Sequence, residues 1–169
     1  MENECNTWLK ECMDAFSKLK NYRITAEYAK MSPETLYITH GSSRITRDID
    51  PETVLLKGDA SVTIIEKRNK KFRIDLNQNI RKIRNPLLRK QVVTHMLISA
   101  LVRIESKRMI TKRKEGERRK NKRMPKKEFD EIFLEKYNGM RARSRLPPIA
   151  NMANIDAAIR KILSEIRFD

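Results

Sequence analysis

The stretch that decides the fold is residues 85–104, NPLLRKQVVTHMLISALVRI. Asn85 is a residue type that caps helices, and Pro86 fits the first helical position, where its missing N–H is not needed. The apolar residues that follow cover more than half of a helix circumference: Leu88, Val92, Val93, Met96, Leu97, Ala100, Leu101 and Ile104. Because a helix this apolar needs neighbours on most sides, we expect it to be long, central and packed across the inner face of a sheet.

The sheet is predicted from the residues before this helix, at 35–76. Short apolar runs alternate there with turn residues, which is typical of strands joined by tight turns. We expect a hairpin of strands 36–39 and 44–46 around the turn His40-Gly41-Ser42-Ser43, and further strands at 54–56, 62–65 and 72–76. Residues 22–28 alternate with a period of two, which also indicates a strand, although a helical continuation stays open. Together these segments predict a small antiparallel β-meander with one solvated face.

Helical spacing occurs towards both ends of the sequence. An amino-terminal helix is predicted from about Asn3 to Leu19, where apolar residues recur every three or four positions. Two carboxy-terminal helices are predicted as well. One follows Pro125 and ends at Asn138-Gly139, a residue pair that often terminates helices, and the other is capped by Asn154.

These elements predict an α+β fold, in which the meander packs against the amino-terminal helix, the apolar helix and the two carboxy-terminal helices. We divide the chain into an α+β core at 1–106, a basic arm or loop at 107–127, and helices at 128–169 that pack on the core. A chain of 169 residues is long enough for one ordinary core and short for two.

The charge of the chain points to a polyanionic partner. It has 38 Lys and Arg against 22 Asp and Glu, a net charge of +16. Residues 107–127 hold twelve cations and two glutamates, which gives 12 − 2 = +10 in one segment. So much positive charge repels itself in a compact protein, and a polyanion relieves that repulsion while it releases its own counterions.

We therefore predict a non-enzymatic nucleic-acid-binding protein, with RNA favoured over DNA and with contacts mainly to the phosphate backbone. Aromatic residues make up only 6% of the chain, so a base-stacking platform is not predicted, although Tyr37 or Phe72 could serve as one. The predicted phosphate contacts form three clusters: Lys67, Arg68, Lys70, Lys71, Arg73; Lys107, Arg108, Lys112, Arg113, Lys114, Arg118, Arg119, Lys120, Lys122, Arg123, Lys126, Lys127; and Arg141, Arg143, Arg145.

Other interpretations of the same clusters stay open. The segment 107–127 suits a solvated surface or a nuclear-import signal, and the lysines near 67–73 could prevent edge-to-edge aggregation of the sheet. A matrix or scaffold protein that touches an anionic membrane is the main rival, and a subunit whose basic arm enters a ribonucleoprotein is another. Vesicle binding and protease sensitivity of the arm would distinguish these two from free nucleic-acid binding. The pattern indicates no oligomeric state.

Catalysis is a weaker reading of the sequence. His40-Gly41-Ser42 has the His-x-Ser form of some phosphoesterases, but a second copy is missing. His95 lies in the apolar helix, where it suits the edge of a core. A metal-dependent nuclease could use Asp48, Asp50, Asp59 and Glu66, yet Lys67 follows Glu66 directly, and alternation along a strand would point the two side chains to opposite faces. No cofactor motif is present.

The cysteines and the hydropathy predict an intracellular location, cytoplasmic or nuclear. Cys5 and Cys12 are seven residues apart, which is too far for a disulfide within one helix. Two cysteines are also too few ligands for a metal site. The first residues lack the apolar segment of a secretion signal, so we do not expect secretion. The longest apolar run, 91–104, is shorter than the roughly 20 residues that cross a bilayer, so no transmembrane segment is predicted.

Overall fold

A computed structural model describes residues 3–30, 60–66, 68–106 and 125–164. These residues form four α-helices, α1 Glu4–Met13, α2 Pro86–Ser106, α3 Lys126–Arg143 and α4 Met152–Ser164, and three strands, β1 Arg23–Ala29, β2 Ala60–Glu66 and β3 Lys71–Asn77. Two 3-10 helices, Ser17–Leu19 and Gln78–Lys82, follow α1 and β3. The α+β class is confirmed. The predicted strands at 36–39, 44–46 and 54–56 and the segment 107–124 lie outside the described residues.

The sheet is mixed, with the strand order β1-β3-β2. β1 runs parallel to β3, and Ala26 lies opposite Ile74. β2 runs antiparallel to β3, and its register shifts between Ile64 and Glu66. The prediction of a purely antiparallel meander is therefore wrong for these strands. Alternating residues reveal which positions share a face of a strand, but they carry no information about its neighbours or their direction.

The apolar face of the sheet packs against the helices. Ala26, Val62 and Ile74 are level with one another on the three strands and are fully buried. α2 contacts the sheet and also α1, α3 and α4. Its buried residues are Val92, Val93, Met96, Leu97, Ile98, Ala100, Leu101, Val102 and Ile104. Asn85 caps this helix as predicted, since its Oδ1 accepts the N–H of Leu87 at 2.9 Å.

α1 is shorter than predicted because its last turn tightens after Met13. The N–H of Ala15 donates to the carbonyl of Cys12 at 3.0 Å, and that of Phe16 donates to the carbonyl of Met13 at 2.9 Å. These bonds join residues three apart, as in a 3-10 helix, instead of four apart, as in an α-helix. This turn places the Phe16 ring in the core, fully buried. A 3-10 helix then leads through Leu19 to β1, so the sequence from Asn3 to Leu19 forms two elements.

Two helix ends at the carboxyl side differ from the prediction. α3 continues through Asn138 and Gly139 to Arg143. The Asn138 side chain bonds across the loop instead, donating to the carbonyl of Ile149 at 3.0 Å and accepting its N–H at 2.8 Å. At α4 the capping side chain is Asn151, whose Oδ1 accepts the N–H of Asn154 at 3.1 Å. Both predictions used suitable residue types, but the C-cap of α3 is Ser144 and the cap of α4 is Asn151 instead of Asn154.

Candidate nucleic-acid interface

A cleft of about 570 Å³ lies between α1 and β1. Its lining alternates between apolar and polar side chains, and it is formed by Asn6, Leu9, Lys10, Met13, Asp14, Tyr22, Ile24 and Thr25. The residues from α1 recur at helical spacing along one side of the helix. Those from β1 lie along an edge of the sheet, because β1 has β3 as its strand neighbour on one side and α1 on the other.

Two asparagines of α1 fix this helix along the edge strand. Asn3 donates through Nδ2 to the carbonyl of Ala26 at 2.9 Å, and Asn6 accepts the Ala26 N–H through Oδ1 at 2.8 Å. An edge strand presents such main-chain groups unpaired. The two side chains satisfy both groups of Ala26 and so set the distance between helix and strand, which leaves the cleft open beyond them.

Tyr22 is the aromatic wall of the cleft. Its ring stacks on that of Phe72, with centroids 5.7 Å apart and planes at 16°. Phe72 is buried, whereas Tyr22 keeps part of its surface exposed. The Lys70 ammonium lies 5.1 Å from the centroid of the Tyr22 ring, in the range of cation–π contacts. Lys70 reaches this position from the turn between β2 and β3, where its φ is 52°.

Arg143 of α3 contacts one residue of the cleft lining. Its Nη2 donates to the main-chain carbonyl of Asp14, a lining residue, at 2.8 Å. Arg141 donates from Nε to the carbonyl of Pro147 at 2.7 Å, which holds the turn after the helix. Arg145 is exposed in that turn and has a φ of 59°. The predicted end of this helix at Asn138-Gly139 put all three arginines beyond it, which is wrong, because Arg141 and Arg143 belong to α3 and Arg145 to the turn.

Further cations lie at the same end of the sheet. Arg23 and Lys71 are directly opposite each other in the parallel pair of β1 and β3, and both are exposed. Like charges in this relation destabilise a sheet. Glu66 faces Lys71 from β2, and its carboxylate also accepts the side-chain N–H of Asn69 at 2.6 Å. Arg68 in the turn is exposed. This end of the sheet therefore has more positive than negative side chains.

Arg73 differs from the other cations of its cluster. Its Nε is 2.9 Å from Asp75 and 3.4 Å from Glu27, and its Nη2 bonds the second oxygen of Asp75 at 3.2 Å. The hydrogen bond to Asp75 is the main reason why the pKa of Arg73 is raised. Two carboxylates thus neutralise this guanidinium within the sheet, and the sequence analysis did not predict either pairing.

The structure brings part of two predicted clusters together and leaves other residues apart. Lys70 and Arg143 both contact lining residues of the cleft, whereas Lys126 and Lys127 are exposed at the start of α3. The predicted contacts outside the described residues are Lys67, Lys107, Arg108, Lys112, Arg113, Lys114, Arg118, Arg119, Lys120, Lys122 and Arg123. Sequence reasoning missed Asp14, Tyr22 and Arg23, since only the packing of α1 on β1 assembles them.

The structure describes only some of the residues considered for catalysis. His95 packs between α2 and α3, with its ring centroid 4.9 Å from that of Phe133. Burial, with a smaller effect of Arg103, lowers the pKa of His95 to about 4, so the ring is neutral at pH 7. His40, Asp48, Asp50 and Asp59 lie outside the described residues. In the ranges that the structure covers, no group of three His, Cys, Asp or Glu side chains is arranged to bind a metal ion.

The cysteines are both buried free thiols in α1. Burial raises the pKa of Cys5 to about 11 and that of Cys12 to about 12. Since the thiolate is the reactive form, neither side chain is a nucleophile at neutral pH.

Within the described part of the chain, every helix falls short of the length and apolarity that a membrane crossing requires. Comparison of the sequence and structure with protein-family models, curated proteins and solved structures found no match.

Proposed function

We propose that the protein binds nucleic acid, RNA in preference to DNA, as a binding protein and not as an enzyme. The binding surface is the basic rim of the α1–β1 cleft, by which we mean Lys70 and Arg143. One observation supports this proposal above all. Tyr22 and Asp14 line the same cleft, and each is contacted by a cation from a different predicted cluster, Lys70 for Tyr22 and Arg143 for Asp14.

The partners of these cations leave their charge available. Lys70 lies against an aromatic ring and Arg143 bonds a main-chain carbonyl, so neither contact supplies a negative charge. Arg89 and Lys90 of α2, by contrast, pair with Glu4 at 3.0 Å and Glu11 at 2.9 Å. A phosphate brought to the rim would meet cations that no carboxylate of the described contacts neutralises, and each such contact releases about one counterion.

The exposed pair Arg23 and Lys71 extends this surface along the sheet end. A phosphate that bound beside them would reduce the repulsion between these two side chains. The preference for RNA rests on the segment 107–127, whose twelve cations suit an arm that follows a flexible backbone, and on arginines that can stack on unpaired bases.

The experiment is a titration of labelled single-stranded RNA, duplex RNA and duplex DNA at several salt concentrations, followed by fluorescence anisotropy. We compare the wild type with the double variant Lys70→Gln/Arg143→Gln. Removing two phosphate contacts is expected to weaken binding about tenfold and to reduce the slope of log K against log salt by about 1.4–1.8.

The matched control is Arg84→Gln/Arg160→Gln, which removes two exposed cations that do not line the cleft and so changes the net charge equally. It is expected to retain binding within about twofold. Equal losses in both double variants would show that net charge alone attracts the polymer, and the proposed site would be wrong. If the wild type binds none of the three probes, the function itself is wrong.

A second candidate has one observation in its favour. Leu146 is 48% exposed directly after Arg145, so an apolar side chain accompanies the arginines at this corner. An anionic membrane surface would accept such a combination. Sedimentation with phosphatidylserine vesicles distinguishes it: binding that Leu146→Ser abolishes, with RNA binding unchanged, would favour the membrane.

A further inference from the structure

We infer that the α1–β1 cleft accepts an unstacked base of a single strand while the rim cations hold the adjacent phosphates. This inference rests on the proposed function and adds the substrate class, a single-stranded nucleic acid. The volume of the cleft, about 570 Å³, lies within the approximately 300–1,000 Å³ of ordinary ligand clefts and exceeds what one base needs.

The walls have the chemistry of a base site. Leu9, Met13 and Ile24 give apolar surface, and Tyr22 gives an aromatic ring that Phe72 supports from within the fold. A ring fixed by a stacked neighbour does not have to be ordered when a base arrives. Stacking of bases on such rings is insensitive to sequence, because every base has a π face.

Polar groups of the cleft suit the edge of a base. Asn6 uses Oδ1 to bind Ala26, which orients its Nδ2 as the donor of the pair, and Nδ2 has no acceptor among the residues described. Asp14 offers an exposed carboxylate that can accept from an exocyclic amino group, the contact that acidic side chains make with cytosine. An acyl chain would leave these amide and carboxylate groups unpaired, so the lining favours a base over a lipid tail.

The rim supplies the phosphate contacts of the same ligand. Lys70 lies over the ring that forms the aromatic wall, so a base that stacked there would displace its ammonium towards the adjacent phosphate, and Arg143 lies at the lining residue Asp14. A nucleotide whose base entered the cleft would thus have cations at both sides of its backbone. In a duplex the base is paired and cannot enter, so only the rim would act on a duplex.

The test replaces the aromatic wall without changing charge. Tyr22→Leu keeps apolar bulk against Phe72 but removes the ring, and Tyr22→Phe keeps the ring. The matched control is Tyr137→Leu on α3, because Tyr137 stacks on Phe133 with the same centroid distance, 5.7 Å, and a similar angle of 20°. Probes are 12-mers of uridine and of thymidine, and a 12-base-pair RNA duplex. Thermal unfolding of each variant shows whether it is folded.

Tyr22→Leu is expected to bind the single strands about tenfold more weakly and the duplex with unchanged affinity. Tyr22→Phe and Tyr137→Leu are expected to stay within about twofold of the wild type on every probe. As an independent readout, a 5-iodouridine probe is expected to crosslink within residues 6–25, where the lining residues lie.

Three results would overturn the inference. Equal loss on single strands and duplex would mean that Tyr22 supports only the rim. No loss, or crosslinks confined to other segments, would place the base elsewhere. Loss of phosphatidylserine-vesicle binding in Tyr22→Leu, with RNA binding unchanged, would make the occupant a lipid. In the first two results the Lys70/Arg143 double variant still tests the proposed function separately.

Discussion

Apart from Glu11, which pairs with Lys90 in the carboxyl half, the two halves of α1 use charged and polar groups in opposite ways. At its amino half, Glu4 accepts hydrogen bonds from Arg89 at 3.0 Å and Tyr28 at 2.6 Å, and Asn3 and Asn6 satisfy the edge of β1. At its carboxyl half, Asp14 and the cleft are contacted by cations that bond a carbonyl or a ring. The comparison predicts that cations paired with carboxylates contribute more to stability than Lys70 and Arg143, which contact a ring and a carbonyl.

The amino half is expected to give the largest effect on stability. Arg89→Met removes both bonds to Glu4 and the bond from Nη1 to the carbonyl of Ile83 at 2.7 Å. Leaving these partly buried acceptors unpaired is expected to lower the free energy of unfolding by about 2–3 kcal/mol. Urea denaturation measures this. Arg143→Met at the other half is expected to change it by less than about 0.5 kcal/mol, and an equal loss there would contradict the comparison.

The acid dependence of the same pair gives a further check on that variant. Burial acts to raise the pKa of Glu4, but hydrogen bonds from Arg89 and Tyr28 hold it below its ordinary value. The ionised form therefore stabilises the fold above pH 4.5, and this contribution disappears as the pH falls through the lowered pKa. The stability difference between the wild type and Arg89→Met is expected to shrink in that acidic range.

His95 gives a second test of acid dependence, at a half-buried side chain of α2. Its Nδ1 has no hydrogen bond among the described residues, and its pKa is lowered from 6.5 to about 4. Between these pH values the unfolded chain binds more protons, so stability falls as the pH falls. From pH 6.5 to 5 the loss is expected to be about 1.6 kcal/mol. His95→Gln removes this dependence, whereas His40→Gln, the change at the other histidine, is expected to retain it.

Asn6→Ala is expected to have a smaller effect at the amino half. It removes the acceptor of the Ala26 N–H and so leaves a main-chain donor of an edge strand unpaired. The loss is expected to be about 1 kcal/mol, because water can reach part of this edge. Urea denaturation again measures it. Thr7→Ala, which changes an exposed residue of the same helix, serves as the control and is expected to stay within about 0.5 kcal/mol of the wild type.

The smallest expected effect concerns the thiols, one in each half of α1. Cys5 and Cys12 are both buried, with pKa values raised to about 11 and about 12. Neither is expected to react with Ellman's reagent at pH 8 until the protein unfolds. Cys12 is adjacent to the cleft residue Met13. Rapid labelling of Cys12 alone would show that the cleft opens into the core, which would contradict the separation of the cleft from the buried face of α1.

Much of the fold follows from local patterns. The alternation at 22–28 and 72–76 predicted β1 and β3, the short apolar run at 62–65 predicted β2, and Asn85-Pro86 marked the start of α2. The pattern failed at the carboxyl end of α3 and at the cap of α4. Asn138 and Asn154 both looked like helix-end residues, but the bonds of Asn138 to Ile149 and the cap at Asn151 depend on neighbours that come together only after folding.

The candidate site was predicted only in part for the same reason. Composition identified Lys70 and Arg143 as cations suited to phosphate, but Arg73 was grouped with them although Asp75 and Glu27 neutralise it. Asp75 is two residues away in sequence and could have been noticed, since positions i and i+2 share a face of a strand. Glu27 comes from β1, and its position beside β3 depends on the strand order.

The sequence by itself determined that this is a mixed helix and sheet protein with a net charge of +16 and that its cations fall into clusters. Periodicity and composition are local properties, so they survive without knowledge of the fold. The tertiary structure alone decided that β1 lies parallel to β3, that Tyr22 and Asp14 line one cleft, and that Lys70 contacts the first of these residues and Arg143 the second. Contacts between residues far apart in the chain depend on how whole elements pack, and no short stretch of residues encodes that packing.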